Sequence, residues 1–342
     1  MKNKNIRLGI FTITDAINYG AFYQMYALVK YFEGQGADVT VYRGSISLKR
    51  ILMKYFSFNI FRQFRKLKIL HAFYQSRKSL NIKRYRGENL DLAILGSDEI
   101  WNLENLSFRH SPFYYGIGIS AKKIIAYAPS IGFAKPETLY NSQDFCDGLK
   151  RVDTILARDF ITKIVAEKIT GKNVNIVCDP TILFNNWNNV ELPDSMIDSE
   201  YILYYGYTSQ PPFLSSLLEF SKEEKLPIIS AGYHYHPWCS KNLTVGPFGF
   251  LRLLKDAKYV FTTTFHGTVM SALLNKRFCY YASGQKVKDF AEKFNLGFLH
   301  IDEKSSFKDI NRILNSGPVN LNSFINDYML ESRKILEDSI DG

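Results

Sequence analysis

The sequence predicts an α/β protein with two doubly wound, Rossmann-like domains that face a cleft. Short β-type runs alternate with helical patterns through nearly all of the 342 residues, and this alternation is typical of parallel sheets. The length suits two domains of roughly 150–190 residues each. One irregular stretch rich in Asn, Asp and Pro, residues 182–199, interrupts the alternation and predicts a linker between the domains.

The first half of the chain predicts one parallel sheet. The pattern predicts a strand at residues 6–13, a helix at 21–36 that stops at a glycine, and a second strand at 38–42, which together would make a βαβ unit. Further apolar runs end in polar or glycine-bearing turns and predict strands at 90–102, 122–132, 153–159 and 174–181. We assign residues 1–185 to an N-terminal domain that carries a basic helical insertion at 46–86.

The alternation resumes after the linker and predicts a second domain over residues 186–318. Its expected strands are 200–207, 226–233, 258–263 and 277–283, with helices near 211–225, at 247–256 and after His266. A long amphipathic pattern at about 319–339 predicts a final helix, and we expect the segment 319–342 to pack across the two domains.

Positive charge is concentrated in one segment. The formal net charge is +10, and no acidic residue occurs between Asp38 and Glu88. Such a field attracts polyanions or an anionic membrane surface. Residues 50–74, "RILMKYFSFNIFRQFRKLKILHAFY", mix basic and large apolar side chains at near-helical spacing, as interfacial helices do. The alternative is a helical insertion that packs on the sheet with a solvated basic face. No recognition module accompanies the charge, so we predict no nucleic-acid partner.

The cysteines and the apolar segments indicate a cytoplasmic location. Cys146, Cys178, Cys239 and Cys279 are far apart and form no CxxC pair, which argues against a zinc site or a disulfide framework and fits the reduced cytosol. The apolar run 8–13 is too short for a signal peptide and is soon followed by polar residues. No run reaches the roughly 18 apolar residues of a membrane span.

Candidate site residues lie where predicted strands end, because ligands of open α/β sheets bind at the carboxyl ends of the strands. After the first strand, Asn18 and Gly20 can form a tight turn. The next helix then offers free N–H groups to an anion or a sugar hydroxyl. The turn is not a GxGxxG, so no dinucleotide site is predicted. A plain βα turn is the alternative.

Two further strand ends carry polar side chains. In "GSDEIWN" (96–102), Asp98 is a candidate general base toward a substrate hydroxyl, with capping of the next helix as the alternative. Trp101 either stacks on a sugar or fills the core. At a later strand end, Arg158 is suited to grip a carboxylate or phosphate through two parallel hydrogen bonds. A structural ion pair is the alternative, and the adjacent Asp159 is expected to be its partner or a helix cap.

Residues 261–278, "FTTTFHGTVMSALLNKRF", place a histidine and a glycine between a strand and a helix. A helix N-terminus with an imidazole makes an anion site, Gly267 allows close approach, and His266 can donate a proton. The alternative is a satisfied, partly buried histidine. His234 and His236 have an HxH spacing that could place both on one face of a strand, but no third metal ligand is evident nearby. We favour a loop there and predict no metal.

Six motifs occur in order along about residues 6–280: "NYGAFYQMYAL", "ILGSDEIWN", "YAPSIG", "ARD", "DPTILF" and "TTTFHGTVMSALL". Together they resemble the polysaccharide pyruvyl transferase family. The resemblance implies the two-domain GT-B architecture and transfer of a pyruvyl group from phosphoenolpyruvate onto a sugar, usually as a cyclic ketal across two hydroxyls. It implies phosphoenolpyruvate as co-substrate without a further cofactor. The family pattern before the histidine usually reads Asp-Ser-Phe-His or Asp-Arg-Leu-His, whereas this chain has Thr263 and Thr264.

The residues and the resemblance together give the expected roles. His266 is the expected acid or phosphate stabiliser, and Asp98 is the candidate base. The donor would bind to Arg158, His266, Gly267, Thr268 and Thr264, with Arg158 and His266 opposite each other across the cleft. The acceptor would bind to Asn18, Tyr19, Gly20, Gln24, Ser97, Trp101 and Ser130.

The expected acceptor is a sugar of a bacterial cell-surface polysaccharide or its lipid-linked precursor. The protein would then be cytoplasmic, at the inner face of the cell membrane where segment 46–86 contacts anionic lipid. Two alternative functions remain. One is a GT-B glycosyltransferase with a nucleotide-sugar donor, and the other is a non-catalytic homologue that binds a glycan or an anion.

Overall fold

The chain forms two compact units. The computed structural model describes residues 6–43, 60–105, 110–316 and 322–342. Unit 1 contains residues 6–43, 77–105, 110–184 and 326–342, and unit 2 contains residues 60–76, 185–316 and 322–325. The chain therefore changes unit between residues 184 and 185, near the start of the predicted linker.

Unit 1 is built on a seven-stranded parallel sheet with the order β3-β2-β1-β4-β5-β6-β7. The strands are β1 (Arg7–Phe11), β2 (Asp38–Arg43), β3 (Ile82–Arg84), β4 (Leu90–Leu95), β5 (Ala121–Tyr127), β6 (Thr154–Ala157) and β7 (Asn175–Ile176). The helices up to the unit boundary are α1 (Tyr19–Gly34), α2 (Ile60–Arg77), α3 (Pro136–Tyr140), α4 (Gln143–Lys150), α5 (Phe160–Thr170) and α6 (Pro180–Phe184). The central strands are buried apolar runs, as expected when helices cover both faces of a parallel sheet.

Unit 2 is built on a five-stranded parallel sheet with the order β10-β9-β8-β11-β12. The strands are β8 (Ile202–Tyr205), β9 (Ile228–Ala231), β10 (Lys241–Leu243), β11 (Tyr259–Thr262) and β12 (Arg277–Tyr280). The helices after the boundary are α7 (Leu214–Glu223), α8 (Pro247–Asp256), α9 (Phe265–Leu273), α10 (Gln285–Lys293), α11 (Phe307–Asn315) and α12 (Asn322–Asp341). The two short strands β3 and β10 were not predicted from the sequence.

Each sheet has one position where the chain connections leave in opposite directions. In unit 1 it lies between β1 and β4, and in unit 2 between β8 and β11. Ligands of open α/β sheets bind at such switch points. The Gly96 N–H donates to the carbonyl of Phe11 at 3.0 Å, and the Thr263 N–H donates to the carbonyl of Tyr205 at 3.1 Å. The turn that begins at Gly96 and the turn that precedes His266 therefore both lie at switch points.

The predicted basic insertion is divided differently by the structure. Residues 46–59 lie outside the described part of the chain. Strand β3 extends the sheet of unit 1 by pairing with β2, so it is no helical insertion. Residues 60–76 of α2 belong to unit 2, which corrects their assignment to the N-terminal domain. The reason is a buried contact, since the Arg65 guanidinium donates to the carbonyls of Gly232, His234 and Asn242 at 3.1–3.3 Å.

The C-terminal helix α12 returns the chain to unit 1 from residue 326 onward. The Ser332 hydroxyl accepts the Cys178 N–H at 2.9 Å, and Arg333 donates to the carbonyl of Leu183 at 2.7 Å. These contacts lie within unit 1. In the described residues, no helix combines the length and the apolar composition needed to cross a membrane.

Candidate functional site

His266 is the second residue of helix α9 in unit 2. The helix begins at Phe265, and Thr264 is its N-cap, with a side-chain oxygen that accepts the Gly267 N–H at 3.0 Å. The imidazole is half-buried and meets the ring of Phe265 edge to face, with 4.9 Å between the ring centroids. This places an imidazole on the first turn of a helix, where the aligned peptide dipoles favour negative charge.

Three threonine hydroxyls build this helix start. Thr262 Oγ1 donates to the carbonyl of Tyr205 at 2.9 Å and accepts the Thr264 N–H at 3.1 Å. Thr268 Oγ1 donates to the carbonyl of Thr264 at 3.0 Å. The polar groups of Thr264, Gly267 and Thr268 that we expected to bind the donor are thus already bonded to one another. His266 is the fourth predicted donor contact on this first turn, and its role stays a prediction.

Thr263 and Thr264 stand where the family pattern differs, and the structure shows what each of them contacts. Serine and threonine both cap helices, so Thr264 performs the capping that a serine would perform at this position. Thr263 is nearly buried and hydrogen-bonds the hydroxyl of Tyr204. Burial raises the pKa of Tyr204 well above its ordinary value, so this hydroxyl stays protonated and neutral. Thr263 therefore contacts a neutral hydroxyl at the position where the family pattern has a carboxylate.

Gly267 is required by the close approach of α9 to the end of β11. A Cβ atom on Gly267 would overlap Thr262 Oγ1 and would lie 2.7 Å from Thr264 Oγ1. We expect Gly267→Ala to lower the free energy of unfolding by about 1–3 kcal/mol, the usual cost of overpacking. Urea denaturation of the variant measures this. A change below about 0.5 kcal/mol, the level of ordinary surface substitutions, would contradict the contact.

In unit 1, the turn "GSD" follows β4 at the switch point. The Thr12 hydroxyl donates to the carbonyl of Ser97 at 3.4 Å, and the carbonyl of Asp98 accepts the Ser130 N–H at 2.9 Å. Asp98 has a φ of 74°, the left-handed region that Asp tolerates better than most residues. The alternative, that Asp98 caps the next helix, is wrong, because no helix follows it within residues 99–105. Its role as a base stays a prediction.

Arg158 forms a buried ion pair with Asp179, a partner that was not predicted from the sequence. Arg158 Nη1 lies 3.3 Å from Asp179 Oδ2. The exposed fraction of the side chain is 8% for Arg158 and 2% for Asp179. Burial lowers the pKa of the guanidinium, but the carboxylates of Asp179, Asp98, Asp159 and Glu99 raise it overall. Carboxylates therefore surround this cation, and the structural ion pair is the interpretation that the geometry favours. Asp159 is the N-cap of α5 and accepts the Thr162 N–H at 2.9 Å, as one alternative predicted.

Asp179 is the centre of a polar network in unit 1. Its Oδ2 accepts Gln24 Nε2 at 2.6 Å, and its Oδ1 accepts the N–H and the hydroxyl of Thr181 at 3.0 and 2.7 Å. The structure thus joins Gln24 and Arg158, two predicted site residues, through one carboxylate. A signal for Asp179 was present, because "DPT" follows a predicted strand as "GSD" does.

Two polar atoms near the carboxyl edge of this sheet keep unused hydrogen-bonding capacity. Gln24 Oε1 and Ser97 Oγ are buried and have no hydrogen-bond partner within the described ranges 6–43, 60–105, 110–316 and 322–342. Buried polar atoms of folded proteins are nearly always paired with protein, water or ligand. Both atoms therefore keep hydrogen-bonding capacity that no described protein group uses.

Other predicted acceptor contacts maintain local structure. Asn18 is the N-cap of α1 and accepts the Ala21 N–H at 3.2 Å, so its side-chain oxygen is used by the turn. Ser130 Oγ accepts the Gly132 N–H at 3.0 Å. Trp101 is fully buried in the apolar core, which favours the core interpretation and leaves no indole face for a sugar. The neighbouring Tyr19 and Gly20 are buried at the start of α1.

The histidines of "GYHYHPW" lie in a loop after β9. His236 is buried, and its backbone N–H donates to Asn242 Oδ1 at 2.7 Å. Burial lowers the pKa of His236 from its ordinary value to about 4, so this imidazole is neutral near neutral pH. No group of three His, Cys, Asp or Glu side chains suited to a metal occurs in the described part of the chain.

The fold is similar to that of solved enzymes whose identity to the chain is low. A putative UDP-N-acetylglucosamine 2-epimerase from Listeria monocytogenes has a TM-score of 0.54 and 10% identity, over 96% of this chain and 91% of that one. The S. aureus MnaA–UDP co-structure has a TM-score of 0.53 and 11% identity, over 98% of each chain. At such identities the similarity shows the fold alone, which is the predicted pair of Rossmann-like domains of GT-B type.

A family model described as polysaccharide pyruvyl transferase matches residues 18–285. The match covers well over half of the chain and includes the ends of β4, β6 and β11, where the candidate residues lie. No curated protein matches the chain significantly.

Proposed function

Because this chain belongs to the polysaccharide pyruvyl transferase family, and is by that membership a transferase, we propose that its donor is phosphoenolpyruvate. The acceptor in this proposal is a sugar of a bacterial cell-surface polysaccharide or of its lipid-linked precursor, and the product is a ketal. The observation that carries the donor assignment is the position of His266, half-buried on the first turn of α9 at the switch point of unit 2.

Phosphoenolpyruvate suits this position because of its charge and its reactivity. The helix start favours its phosphate, with a dipole contribution of roughly 0.3–1 kcal/mol for an exposed charge. A protonated His266 can stabilise that phosphate or deliver a proton to the methylene carbon, which becomes a methyl group. Neither Thr263 nor Thr264 carries a charge, so these two positions would not repel a bound anion.

The proposed transfer has four steps: protonation, attack by a hydroxyl, loss of phosphate and closure of the ketal. Protonation of the methylene carbon leaves an oxocarbenium-like centre at the adjacent carbon. A sugar hydroxyl oxygen bonds to that centre and loses its proton to a base, for which Asp98 is the candidate. The bond between this carbon and the phosphate oxygen then breaks and releases inorganic phosphate. A second hydroxyl of the same sugar closes the ketal and releases the second proton.

The polar network of unit 1 supports a sugar ligand better than a second anion site. Carboxylates surround Arg158, and Asp179 already bonds to it. This arrangement disfavours a dianion beside the guanidinium. Gln24 Oε1 and Ser97 Oγ can bond to neutral hydroxyl groups instead. We therefore propose that Arg158 fixes the orientation of Asp179 rather than clamping the donor.

The location proposed for the protein is the cytoplasm, at the inner face of the membrane where lipid-linked sugars would be modified. The positive charge of the segment between Asp38 and Glu88 suits an anionic leaflet.

Thermal unfolding with candidate donors tests the proposed donor. We expect phosphoenolpyruvate to raise the Tm in a concentration-dependent way, because a ligand of the native state stabilises it. We expect UDP to leave the Tm unchanged, and pyruvate alone serves as the control for the carboxylate. A rise with UDP and none with phosphoenolpyruvate would favour the glycosyltransferase alternative. No rise with either, together with no phosphate release in the presence of acceptor oligosaccharides, would favour a non-catalytic homologue.

A further inference from the structure

Helix α2 has a buried inner face and an exposed apolar face on the opposite side. On the inner face, the side chains of Arg65, Ile69, Phe73 and Ser76 are buried. On the opposite side, four large apolar residues recur at helical spacing with more than half of their surface exposed: Ile60, Phe64, Leu67 and Tyr74. We call these four residues the outer face of α2. An ordinary helix that packs on a sheet would present polar groups there instead.

Contacts within unit 2 hold the inner face in place. The Arg65 guanidinium donates to three backbone carbonyls of unit 2, and its carbon Cζ lies 5.6 Å from the ring centroid of Tyr235. The chain at Gly246 also passes close to α2, because a Cβ there would lie 2.6 Å from the carbonyl oxygen of Ala72. These contacts fix the rotation of the helix about its own axis, so the outer face stays directed toward solvent.

Lys68 is the basic side chain that lies beside the outer face, whereas Arg62 and Lys66 share the helical face of Ile69. No acidic residue occurs between Asp38 and Glu88, while Arg62, Lys66 and Lys68 lie on α2 itself. Lys68 Nζ lies 4.8 Å from the centroid of the Phe64 ring, so a cation accompanies one of the exposed apolar side chains. The combination of exposed large apolar groups with a field of one sign is typical of helices that lie in the interface of an anionic bilayer.

We propose that the outer face of α2 docks the protein on an anionic lipid bilayer. The apolar side chains enter the boundary between headgroups and acyl chains, and the basic side chains contact the lipid phosphates. A second copy of the chain is a poorer occupant, because two such faces would bring Lys68 of each copy together in a segment without acidic residues, and like charges across an interface are unfavourable. This inference does not depend on pyruvyl transfer, since lipid binding is measured without substrate.

Sedimentation of the full chain with vesicles tests the proposal. We expect binding to vesicles of phosphatidylcholine mixed with phosphatidylglycerol, weak binding to phosphatidylcholine alone, and a loss of binding as salt is raised, because salt screens the basic groups. The double variant Phe64→Ser/Leu67→Ser should weaken binding by about tenfold or more, because it removes two of the inserted side chains. Its thermal unfolding should match that of the unchanged protein, since both side chains are exposed.

The matched control is Phe160→Ser/Ile161→Ser. These two residues are large, apolar and exposed on α5 of unit 1, outside the basic segment. We expect this variant to bind vesicles as the unchanged protein does. Three results would overturn the proposal: no binding to the anionic vesicles, equal losses from the control and the α2 variant, or a dimer in analytical ultracentrifugation that Phe64→Ser/Leu67→Ser dissociates.

Discussion

Replacing Asp179 with asparagine is expected to lower the free energy of unfolding by about 3–5 kcal/mol, the usual cost of removing one partner of a buried ion pair. The substitution keeps the shape of the side chain but leaves the Arg158 guanidinium without the carboxylate 3.3 Å away. Asp179 also accepts hydrogen bonds from Gln24 and Thr181, so the loss extends through the network. Urea denaturation with far-UV circular dichroism measures the change.

Two further variants separate the ion pair from a general effect of the substitution. Asp147→Asn changes a carboxylate in an exposed pair with Lys150, 4.0 Å apart, and should alter stability by less than about 1 kcal/mol. The double variant Arg158→Met/Asp179→Leu replaces the pair by apolar groups and should recover much of the stability that Asp179→Asn loses. Equal, small changes for Asp179→Asn and Asp147→Asn would show that the buried pair contributes little.

Replacing His266 with alanine is expected to lower kcat by roughly 10²–10³-fold, the usual effect of removing one group that stabilises developing charge. The proposed function assigns this imidazole to the donor phosphate or to the proton that reaches the methylene carbon. Stability should change little, because the side chain is half-buried and Thr264, not His266, caps the helix. Phosphate release from phosphoenolpyruvate, with oligosaccharides from bacterial cell-surface polysaccharide as acceptors, measures the rate.

His234→Ala is the matched control for this experiment. It removes an exposed histidine from a loop of the same unit and should leave kcat within about twofold, because the loop has no role in the proposed chemistry. Turnover of His266→Ala close to that of the unchanged protein would remove His266 from the mechanism. Equal losses in both variants would indicate a structural disturbance of unit 2.

The fold was predictable because alternation of short apolar runs and helical patterns leaves few other architectures. Strands such as β4 and β11 are buried apolar runs that end at glycine or threonine, and both were predicted close to their observed positions. The sequence did not reveal β3 and β10, because "IKR" and "KNL" carry no apolar run and form strands only by pairing with a longer neighbour.

The candidate site was predictable at the level of strand ends, because parallel strands bring their carboxyl-end turns to one edge of a sheet. His266, Asp98 and Arg158 all lie at such ends. Their partners were not predictable. Asp179 lies 21 residues from Arg158 and 155 residues from Gln24 along the chain, so no local pattern links the three.

The sequence by itself determined the two-domain α/β class, the family and the set of turns where polar side chains gather, because these follow from local patterns and motif order. The tertiary structure decided how those side chains are used. Thr264 caps helix α9, Trp101 is buried in the core, and Arg158 forms a buried ion pair with Asp179. The physical reason is that burial and pairing depend on residues distant in the chain, and only packing brings those residues within hydrogen-bond reach.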